Sequence, residues 1–342
     1  MKIRFAVYNM EWMKNLFYRD GTPKRSDQGS KDDREDGVRS EQLATVVRTI
    51  KPDILCIVEG PDTLKNGSKT ASGQLQSWCE LHSFADEYRS IQGLISGGQQ
   101  ELCALYRTSK IKLIHDPEKN AKKNPFDQPF LVDTLESLIK EQYKHYRPPL
   151  ELSVRKKNSP NDEIARIIVA HTKSKGIFDS VDLARYEQLS ERNRRKLFAE
   201  CCSIRQRCNQ WLSDKPNQKI IVCGDFNDGF GLDYYESRFS KSAVDILLGD
   251  VRSPEFIFKH VLPKPKLNKY GWSPSSSRYK DRITGDYFNV LIDHILVSQN
   301  IPYENAMVWN PYPDNASDNV KAIKKNLVDA SDHFPVSVDL TL

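Results

Sequence analysis

Polar side chains stand at the ends of several apolar, strand-like segments of this chain. Asn9 and Glu11 follow the first segment, Glu59 ends the run ILCIVE, and Asp225 and Asn227 follow KIIVC. Residues two apart on a strand project to the same face, so Asn9 with Glu11, and Asp225 with Asn227, could each point at one site. A carboxylate in a buried strand is costly unless it binds a metal or a partner charge. These positions therefore predict acid–base or metal-ion chemistry.

Histidines occupy comparable positions in the second half of the chain. His171 ends the run RIIVAH, Asp293 and the histidine after it interrupt VLIDHILVS, and Asp332 with His333 precedes the last apolar run. One such carboxylate is more often a helix cap or a surface charge, and one such histidine more often a hydrogen-bonded core residue. Six segments of this kind in one chain favour a single shared site.

Short apolar strands must position these groups, and helix patterns separate them. The strand candidates are Lys2–Glu11, Asp53–Gly60, Glu101–Arg107, Leu150–Arg155, Ile164–Ala170, Lys219–Asp225, Val290–Val297 and His333–Leu340. The helix candidates are Ser40–Ile50, Gly73–His82, Val181–Leu212 and about Asp233–Leu248. The stretches Tyr18–Gly37, Asp116–Gln128 and Lys264–Gly285 have loop composition, and the strand pattern continues on both sides of each. We therefore expect one domain over residues 1–342.

The third helix candidate has one apolar stripe and several basic faces. Leu197, Cys201, Ile204, Cys208 and Trp211 step by four and three residues, which predicts a buried helical face. The other faces carry Arg185, Arg192, Arg194, Arg195, Lys196, Arg205 and Arg207. Either a solvated helix face or a nucleic-acid contact would explain them.

Composition excludes several classes of protein. No run of eighteen apolar residues occurs, so no transmembrane helix is expected. The seven cysteines are odd in number and include no CxxC pair, which argues against a disulfide framework or a thiolate zinc site. The N-terminus alternates like a strand and lacks a signal-peptide core. We therefore expect a cytoplasmic protein. The net charge of +5 is compatible with a polyanionic partner but does not require one.

The motifs GDFN at 224–227 and SDHFPV at 331–336, supported by IVEG and DHILVS, resemble the endonuclease/exonuclease/phosphatase superfamily with the DNase I-like fold. The resemblance runs from Asn9 to Pro335. It implies a four-layer α/β sandwich in which two packed mixed β-sheets are flanked by helices. The active site of this family lies at the edge of the sandwich where strand ends converge.

The resemblance also implies a metal site. Glu59 matches the principal metal ligand, Asn9 and Asp332 match positions that complete the metal shell or hold its waters, and Glu11 falls where some members have a further carboxylate. Such an oxygen-rich set suits Mg²⁺ or Mn²⁺ better than Zn²⁺. We therefore expect a Mg²⁺ or Mn²⁺ cofactor, with one or two ions left open.

Five further residues match catalytic positions of the family. Asp225 and Asn227 match the pair that positions the attacking water and the phosphate, or binds a second ion. His333 matches the catalytic histidine, and Asp293 the carboxylate that orients it. His171 matches a second histidine of the DNase-like and sphingomyelinase-like branches. One histidine could then serve the incoming water and the other the departing oxygen, an effect of about 10²–10⁴-fold on rate.

Four cations are candidates for holding the substrate. The sequence HTKSK, with Arg185 and a glutamine on the following helix, is similar to bacterial metal-dependent endonucleases of the family. Lys173 and Lys175 are two apart in a predicted loop, so both could face one groove, or both could be solvated. Arg147 resembles a family arginine that meets a phosphate, and a surface arginine before a Pro-Pro turn is the alternative.

The leading hypothesis is a metal-dependent nuclease that hydrolyses the backbone of DNA, with RNA as a second polymer. The alternative is a phosphatase or phosphodiesterase of a small-molecule or lipid phosphoester, because the same residues grip only the phosphate. Substrate choice would lie in Tyr18–Gly37, Asp116–Arg147 and Lys264–Gly285. A non-catalytic binding module would have lost site residues, and none is missing. We expect nucleic acid as the substrate and neither a membrane nor an obligate protein partner.

Overall fold

The structure is a computed structural model that describes residues 1–64, 69–134, 138–177, 182–268, 271–280 and 285–342. Within these ranges the strands are β1 (Lys2–Asn9), β2 (Ile54–Gly60), β3 (Tyr88–Gln92), β4 (Glu101–Arg107), β5 (Ile111–His115), β6 (Phe130–Val132), β7 (Glu141–Tyr143), β8 (Leu150–Lys156), β9 (Ser159–His171), β10 (Ile220–Asp225), β11 (Phe258–His260), β12 (Lys266–Asn268), β13 (Gly271–Ser273), β14 (Ser277–Lys280), β15 (Tyr287–Val290), β16 (Asp293–Ser298), β17 (Tyr303–Val308) and β18 (Val336–Thr341). The helices are α1 (Lys31–Ile50), α2 (Ala71–Leu81), α3 (Leu183–Asp214), α4 (Ala243–Leu248), α5 (Asp318–Ala322) and α6 (Lys324–Ala330).

Two six-stranded mixed sheets form the centre of the molecule. The first has the order β17-β18-β1-β2-β4-β3, and the second has the order β11-β16-β10-β9-β8-β5. Each contains one parallel pair, β1 with β2 and β9 with β10, while the remaining neighbours are antiparallel. Of the parallel strands, β2 and β10 are mostly apolar because both of their faces are buried.

Alternation along the central strands creates three apolar layers. Phe5 and Val7 of β1 face the second sheet and pack in one cluster with Ile167 and Ile221. Ala6 and Tyr8 face the opposite way, toward α1, α2 and α6. On the far side, β9, β10 and β16 pack against α3 and α4. The resulting order of helices, sheet, sheet and helices confirms the four-layer α/β sandwich expected from the sequence.

The first helix is longer than predicted. It begins at Lys31, not Ser40, so part of the expected loop at Tyr18–Gly37 is helical. Ser30 caps it: its hydroxyl accepts from the Asp33 N–H, and the Asp33 carboxylate accepts from the Ser30 N–H. This reciprocal pair satisfies two backbone donors at the helix start. Ser40 is a buried residue in the middle of the helix.

Two further predicted elements are interrupted. The expected helix at Asp233–Leu248 is a 3₁₀ turn at Glu236–Phe239 followed by α4, because Ser240 has φ 56° and Ser242 caps the new helix. The expected strand Val290–Val297 is split into β15 and β16 by Leu291–Ile292. The amide of Ile292 donates to the Ser276 hydroxyl and its carbonyl accepts from Phe226, so the ladder breaks there.

Strand and helix ends also differ from the predictions. The first strand ends at Asn9 and not at Glu11, and the last begins at Val336, after His333. The predicted start of the third helix, Val181, lies outside the described residues, as do 281–284 of the last predicted loop. Within the described residues, every helix is too short or too polar to cross a membrane.

Candidate active site

The predicted site residues meet at one edge of the sandwich. β1, β2, β9 and β10 all end there, and β16 starts there, because it runs antiparallel to β10 with Asp293 opposite Asp225. A pocket of about 630 Å³ opens at this edge. Its lining includes nine of the predicted residues: Glu11, Glu59, Arg147, His171, Lys173, Asp225, Asn227, Asp332 and His333.

One carboxylate oxygen of Glu59 is fixed in the pocket by two hydrogen bonds. Its Oε2 accepts from the Trp12 N–H at 2.8 Å and from the Gln100 side-chain amide at 2.7 Å. Its Oε1 lies 3.9 Å from Nε2 of His171. Glu59 has φ 57°, and this local departure from extended geometry accompanies a shift of register between β2 and β4. One carboxylate oxygen is thus fixed by the protein while the other faces the pocket.

Glu11 and Asp332 bring two more carboxylates to the same wall. The Asp332 N–H donates to Oε2 of Glu11 at 3.0 Å. Burial raises the pKa of Glu11, and the nearby charge of Asp332 raises it further. Burial likewise raises the pKa of Asp332, and Glu59 adds to this effect against the opposing charge of His333. Glu11 and Trp12 both have left-handed backbone angles, φ 41° and 50°, a conformation that is energetically unfavourable for residues other than glycine. Both residues line the pocket.

This donor set fits a hard divalent cation. Glu11, Glu59, Asp225 and Asp332 are carboxylates that line one pocket, and their mutual repulsion is what a bound cation would relieve. Oxygen donors of this kind suit Mg²⁺ or Mn²⁺.

Asn9 lies beneath the pocket and does not line it. Its Oδ1 accepts from the Glu11 N–H at 3.0 Å, and its Nδ2 donates to Oδ2 of Asp225 at 3.1 Å. Both ends of this side chain are therefore engaged in holding other site residues.

His333 and Asp293 form a buried pair. Nδ1 of His333 lies 2.7 Å from Oδ2 of Asp293, and that oxygen also accepts from the Ser276 hydroxyl at 2.8 Å. Burial alone would lower the pKa of His333, but the charges of Asp293, Asp225 and Asp332 outweigh it and raise the pKa to about 10. The ligand atoms of Asp225, Asp293 and His333 lie within 4.8 Å of one another. Because His333 and Asp293 are hydrogen-bonded to each other through Nδ1 and Oδ2, we interpret the group as an oriented histidine beside Asp225.

The GDFN segment places Asp225 between the two histidines. Oδ2 of Asp225 is 3.7 Å from Nε2 of His171 and 4.0 Å from Nε2 of His333. Gly224 is required before it, because a Cβ there would lie 1.8 Å from the carbonyl oxygen of Ala170 on β9. Asn227 does not continue the strand, since it has φ 49°. Its side-chain amide donates to the carbonyl of Thr172, and its backbone N–H donates to Oδ1 of Asp225.

The site shifts the pKa of His171 downward and the pKa values of His333 and Asp225 upward. Burial, assisted by the charge of Asp293, raises the pKa of Asp225 to about 7. Burial, with the positive charges of Arg147 and His333, lowers the pKa of His171 well below its usual range. These shifts favour the neutral ring at His171 and the cationic ring at His333, an arrangement in which one ring can accept a proton and the other can supply one.

The four cationic side chains predicted to hold the substrate do not all line the pocket. Arg147 and Lys173 line the pocket, but Lys175 does not. The Lys175 ammonium forms buried ion pairs with Asp228 and Glu236, so the expectation that both lysines face one groove is wrong. Neutralisation by two buried acids makes it a structural residue. Arg185 is exposed in the first turn of α3.

Several residues of the pocket were not found from the sequence. Gln100 holds Glu59, and Tyr279 brings its hydroxyl to 3.4 Å from Nε2 of His333. Trp12 and Tyr146 line the pocket with 44% and 48% of their surfaces exposed. Lys196 of α3 is a further cation of the lining. The basic run on α3 was the available signal for Lys196; an isolated aromatic or glutamine in a loop gives none.

Comparison with solved structures identifies the fold. A truncated TDP2 from Caenorhabditis elegans superposes on 100% of this chain and 98% of its own, with 11% identity and a TM-score of 0.51. The chain has the DNase I-like fold. A second C. elegans TDP2 structure has the same identity and TM-score and is covered over 75% of its length. An endonuclease/exonuclease/phosphatase family protein from Bacteroides thetaiotaomicron gives 16% identity, 99% and 97% coverage and a TM-score of 0.48.

No family model matches the chain, and no curated protein matches it in sequence. At these identities the DNase I-like fold is what the comparisons share, and chemistry must be argued from the residues of the site.

Proposed function

We propose that the protein is a Mg²⁺- or Mn²⁺-dependent phosphodiesterase that hydrolyses the backbone of nucleic acid, DNA in the first place. One observation carries this proposal. Four of the predicted carboxylates, two histidines of opposite ionisation tendency and the half-buried Arg147 guanidinium line a single pocket of about 630 Å³. Phosphodiester hydrolysis requires charge neutralisation, an oriented water and a proton for the leaving oxygen, and these groups are suited to the three tasks.

Glu59 would be the principal metal ligand, with Asp332 and Glu11 completing the set, directly or through water. Asn9 would support them by holding Asp225 and the backbone of Glu11. When bound, the cation would act as a Lewis acid toward the phosphoryl oxygens and as a clamp for the phosphate.

The chain's own side chains would move the protons. Nε2 of His171 and Nε2 of His333 both lie near Oδ2 of Asp225, at 3.7 and 4.0 Å. One ring would take the proton of the attacking water, and the other would give one to the departing oxygen. Asp293 would fix the tautomer of His333 and stabilise its cation, while Asp225 and Asn227 would orient the water and the phosphate.

Features around the metal site favour a nucleic-acid substrate. The half-exposed rings of Trp12 and Tyr146 offer surfaces on which bases can stack. Arg147 lines the pocket, and its Nε, although buried, has no hydrogen-bond partner among the described residues. Lys173 lines the same pocket. Stacking surfaces and cations that can bind phosphate are the two elements of single-strand recognition.

A substrate panel tests this proposal. The purified protein, with Mg²⁺ or Mn²⁺ and with EDTA, would be given single- and double-stranded DNA, RNA, mononucleotides, sugar phosphates, phospholipid vesicles and bis(p-nitrophenyl) phosphate. We expect metal-dependent cleavage of nucleic acid with the highest kcat/KM.

A His333→Gln variant purified in the same way controls for contaminating nucleases, and it should be inactive on every substrate. A higher kcat/KM on a sugar phosphate or a lipid than on any nucleic acid would contradict the nuclease assignment. Absence of metal-dependent hydrolysis of any phosphoester would also contradict the assignment as a phosphodiesterase.

A further inference from the structure

A second cavity adjoins the active-site pocket. It measures about 710 Å³ and lies between α3 and β7. Lys173 and Lys196 line both cavities, so the two are adjacent. Beyond these shared lysines, the second cavity adds Arg192 and Arg195 from α3 and Gln188 from the turn before them. A substrate bound at the metal site could therefore extend into it past the two lysines.

The acids of this cavity are already neutralised by other cations. Glu141 pairs with Arg195 at 2.5 Å, and Glu191 pairs at 2.7 Å with Arg238, a residue outside the cavity lining. These pairs leave Arg192 without an acid partner in the described lining, and they leave Lys173 and Lys196 with one acid, Glu200, between them. Oε1 of this acid is 3.9 Å from the Lys196 ammonium. The cavity therefore carries an excess of positive charge.

The cations affect one another across this space. Burial lowers the pKa of Lys173, and the charge of Lys196 lowers it further. Glu200 opposes this effect, and Arg147 and Arg192 add smaller lowering effects. Burial raises the pKa of Glu200 to about 7 against the influence of Lys196, so this acid is only partly ionised near neutrality. Repulsion among cations that meet without matching acids is relieved when an anion binds between them.

We infer that Arg192, Lys196 and Lys173 form a subsite for a second phosphate of the substrate, adjacent to the phosphate that is cleaved. This inference rests on the proposed phosphodiesterase function and specifies its substrate as a nucleic-acid strand. A strand carries a phosphate at each nucleotide, so a cleaved linkage always has a charged neighbour. The guanidinium of Arg192 can bind phosphate through two N–H groups, and the lysines act as point charges beside it.

The subsite also accounts for part of the basic surface of α3. Arg194, Arg205 and Arg207 are buried and bind acids or carbonyl oxygens within the protein. Arg192 is exposed and Lys196 is half-buried, and both face the cavity.

The test compares two tetranucleotides of thymidine that differ only in charge. In the first, all three linkages are phosphodiesters. In the second, the two outer linkages are neutral methylphosphonates, so only the central linkage can be cleaved and it has no charged neighbour. The wild type should cleave the central bond of the charged tetramer with a kcat/KM higher by roughly 10- to 150-fold, the value of one hydrogen bond to a charged group. Arg192→Gln and Lys196→Gln should each reduce this ratio, and the double variant should bring it close to one.

Lys112→Gln is the matched control, because Lys112 is an exposed lysine of β5 that lines neither cavity. It should keep the wild-type ratio. On a twelve-nucleotide single strand, each subsite variant should also flatten the dependence of log kcat/KM on log salt by about 0.7. A charged-to-neutral ratio unchanged by Arg192→Gln and Lys196→Gln would overturn the subsite. A reduced ratio on the tetramer with an unchanged salt slope on the long strand would overturn the assignment to a nucleic-acid strand. If the wild type cleaves neither tetramer nor any simple diester, it is the proposed function that fails.

Discussion

Replacing Asp293 by Asn removes a charge from the buried histidine pair with little change of shape. Oδ2 of Asp293 accepts from both the Ser276 hydroxyl and the ring of His333, while Oδ1 has no hydrogen-bond partner among the described residues. The amide oxygen of Asn can take the place of Oδ2 and its NH₂ that of Oδ1. The variant should therefore fold and keep the ring of His333 in position while losing the carboxylate charge.

The expected loss of turnover follows from this geometry. A hydrogen bond to a charged group contributes about 1.5–3 kcal/mol, so losing the charge should slow turnover by about 10- to 150-fold. His333→Ala removes the proton-transfer group itself and should cost about 10²–10⁴-fold. Because Asp293 acts through His333, the double variant should be no slower than His333→Ala, within about threefold.

The assay is the initial rate of hydrolysis of bis(p-nitrophenyl) phosphate at saturating Mg²⁺, with a thermal melt to confirm that each variant is folded. Losses that multiply in the double variant would show that Asp293 has a role independent of His333. A folded Asp293→Asn variant with wild-type turnover would show that the pair is structural.

Two further predictions concern stability. Lys175→Met should lower the free energy of unfolding in urea by about 3–5 kcal/mol, because it leaves the buried carboxylates of Asp228 and Glu236 without their cation. Unchanged stability together with weakened substrate binding would show instead that Lys175 binds the substrate. His260 and His294 form a chain in which the Leu262 N–H donates to Nδ1 of His260, and the rings lie 2.8 Å apart, Nε2 of His260 to Nδ1 of His294. Burial lowers the pKa of His260 to about 4 and that of His294 to about 3, so as pH falls the unfolded chain takes up protons first, near 6.5. The contribution of these neutral rings to the free energy of unfolding should be fully present above pH 6.5. Below pH 6.5 it should fall by up to about 1.4 kcal/mol per pH unit for each ring, which urea unfolding at pH 7.5 and 5.5 would measure. NMR signals of these rings that titrate near pH 6.5 in the folded protein would contradict this prediction.

Strand ends were predictable because they combine two strong signals. An apolar run such as IIVC identifies a buried strand, and a carboxylate directly after it, such as Asp225, has few structural uses at that position. The same logic identified Glu59 and His171. The central strands and the convergence of their ends therefore agree with the structure.

Element boundaries were less predictable because several residues could serve the same purpose. Both Ser30 and Ser40 are acceptable helix caps, and the pattern after Ser40 is the more apolar of the two. The Ser30–Asp33 capping box is a local pattern of the sequence, but Ser40 precedes the more apolar run and was therefore preferred. In the structure the hydroxyl of Ser40 accepts from the indole N–H of Trp78, and this tertiary contact is not encoded in local sequence.

The partners of charged residues were the least predictable feature. Lys173 and Lys175 are two apart in the same loop, but one lines the pocket and the other is buried between acids from a later segment. On α3, Arg192 faces a cavity and Arg194 binds Asp233. Each outcome depends on a residue distant in sequence, which composition and periodicity do not report.

The central claim is that Glu59 holds the divalent cation used to hydrolyse a phosphoester. The most direct measurement is a Mg²⁺ titration of turnover on bis(p-nitrophenyl) phosphate for the wild type, Glu59→Gln and the control Glu101→Gln. Glu101 is a buried carboxylate of the neighbouring strand that accepts from the Ser96 N–H and does not line the pocket. We predict that Mg²⁺ activates the wild type and Glu101→Gln alike and that Glu59→Gln stays inactive at every concentration while remaining folded. Near-wild-type turnover of Glu59→Gln at low Mg²⁺ would contradict the claim.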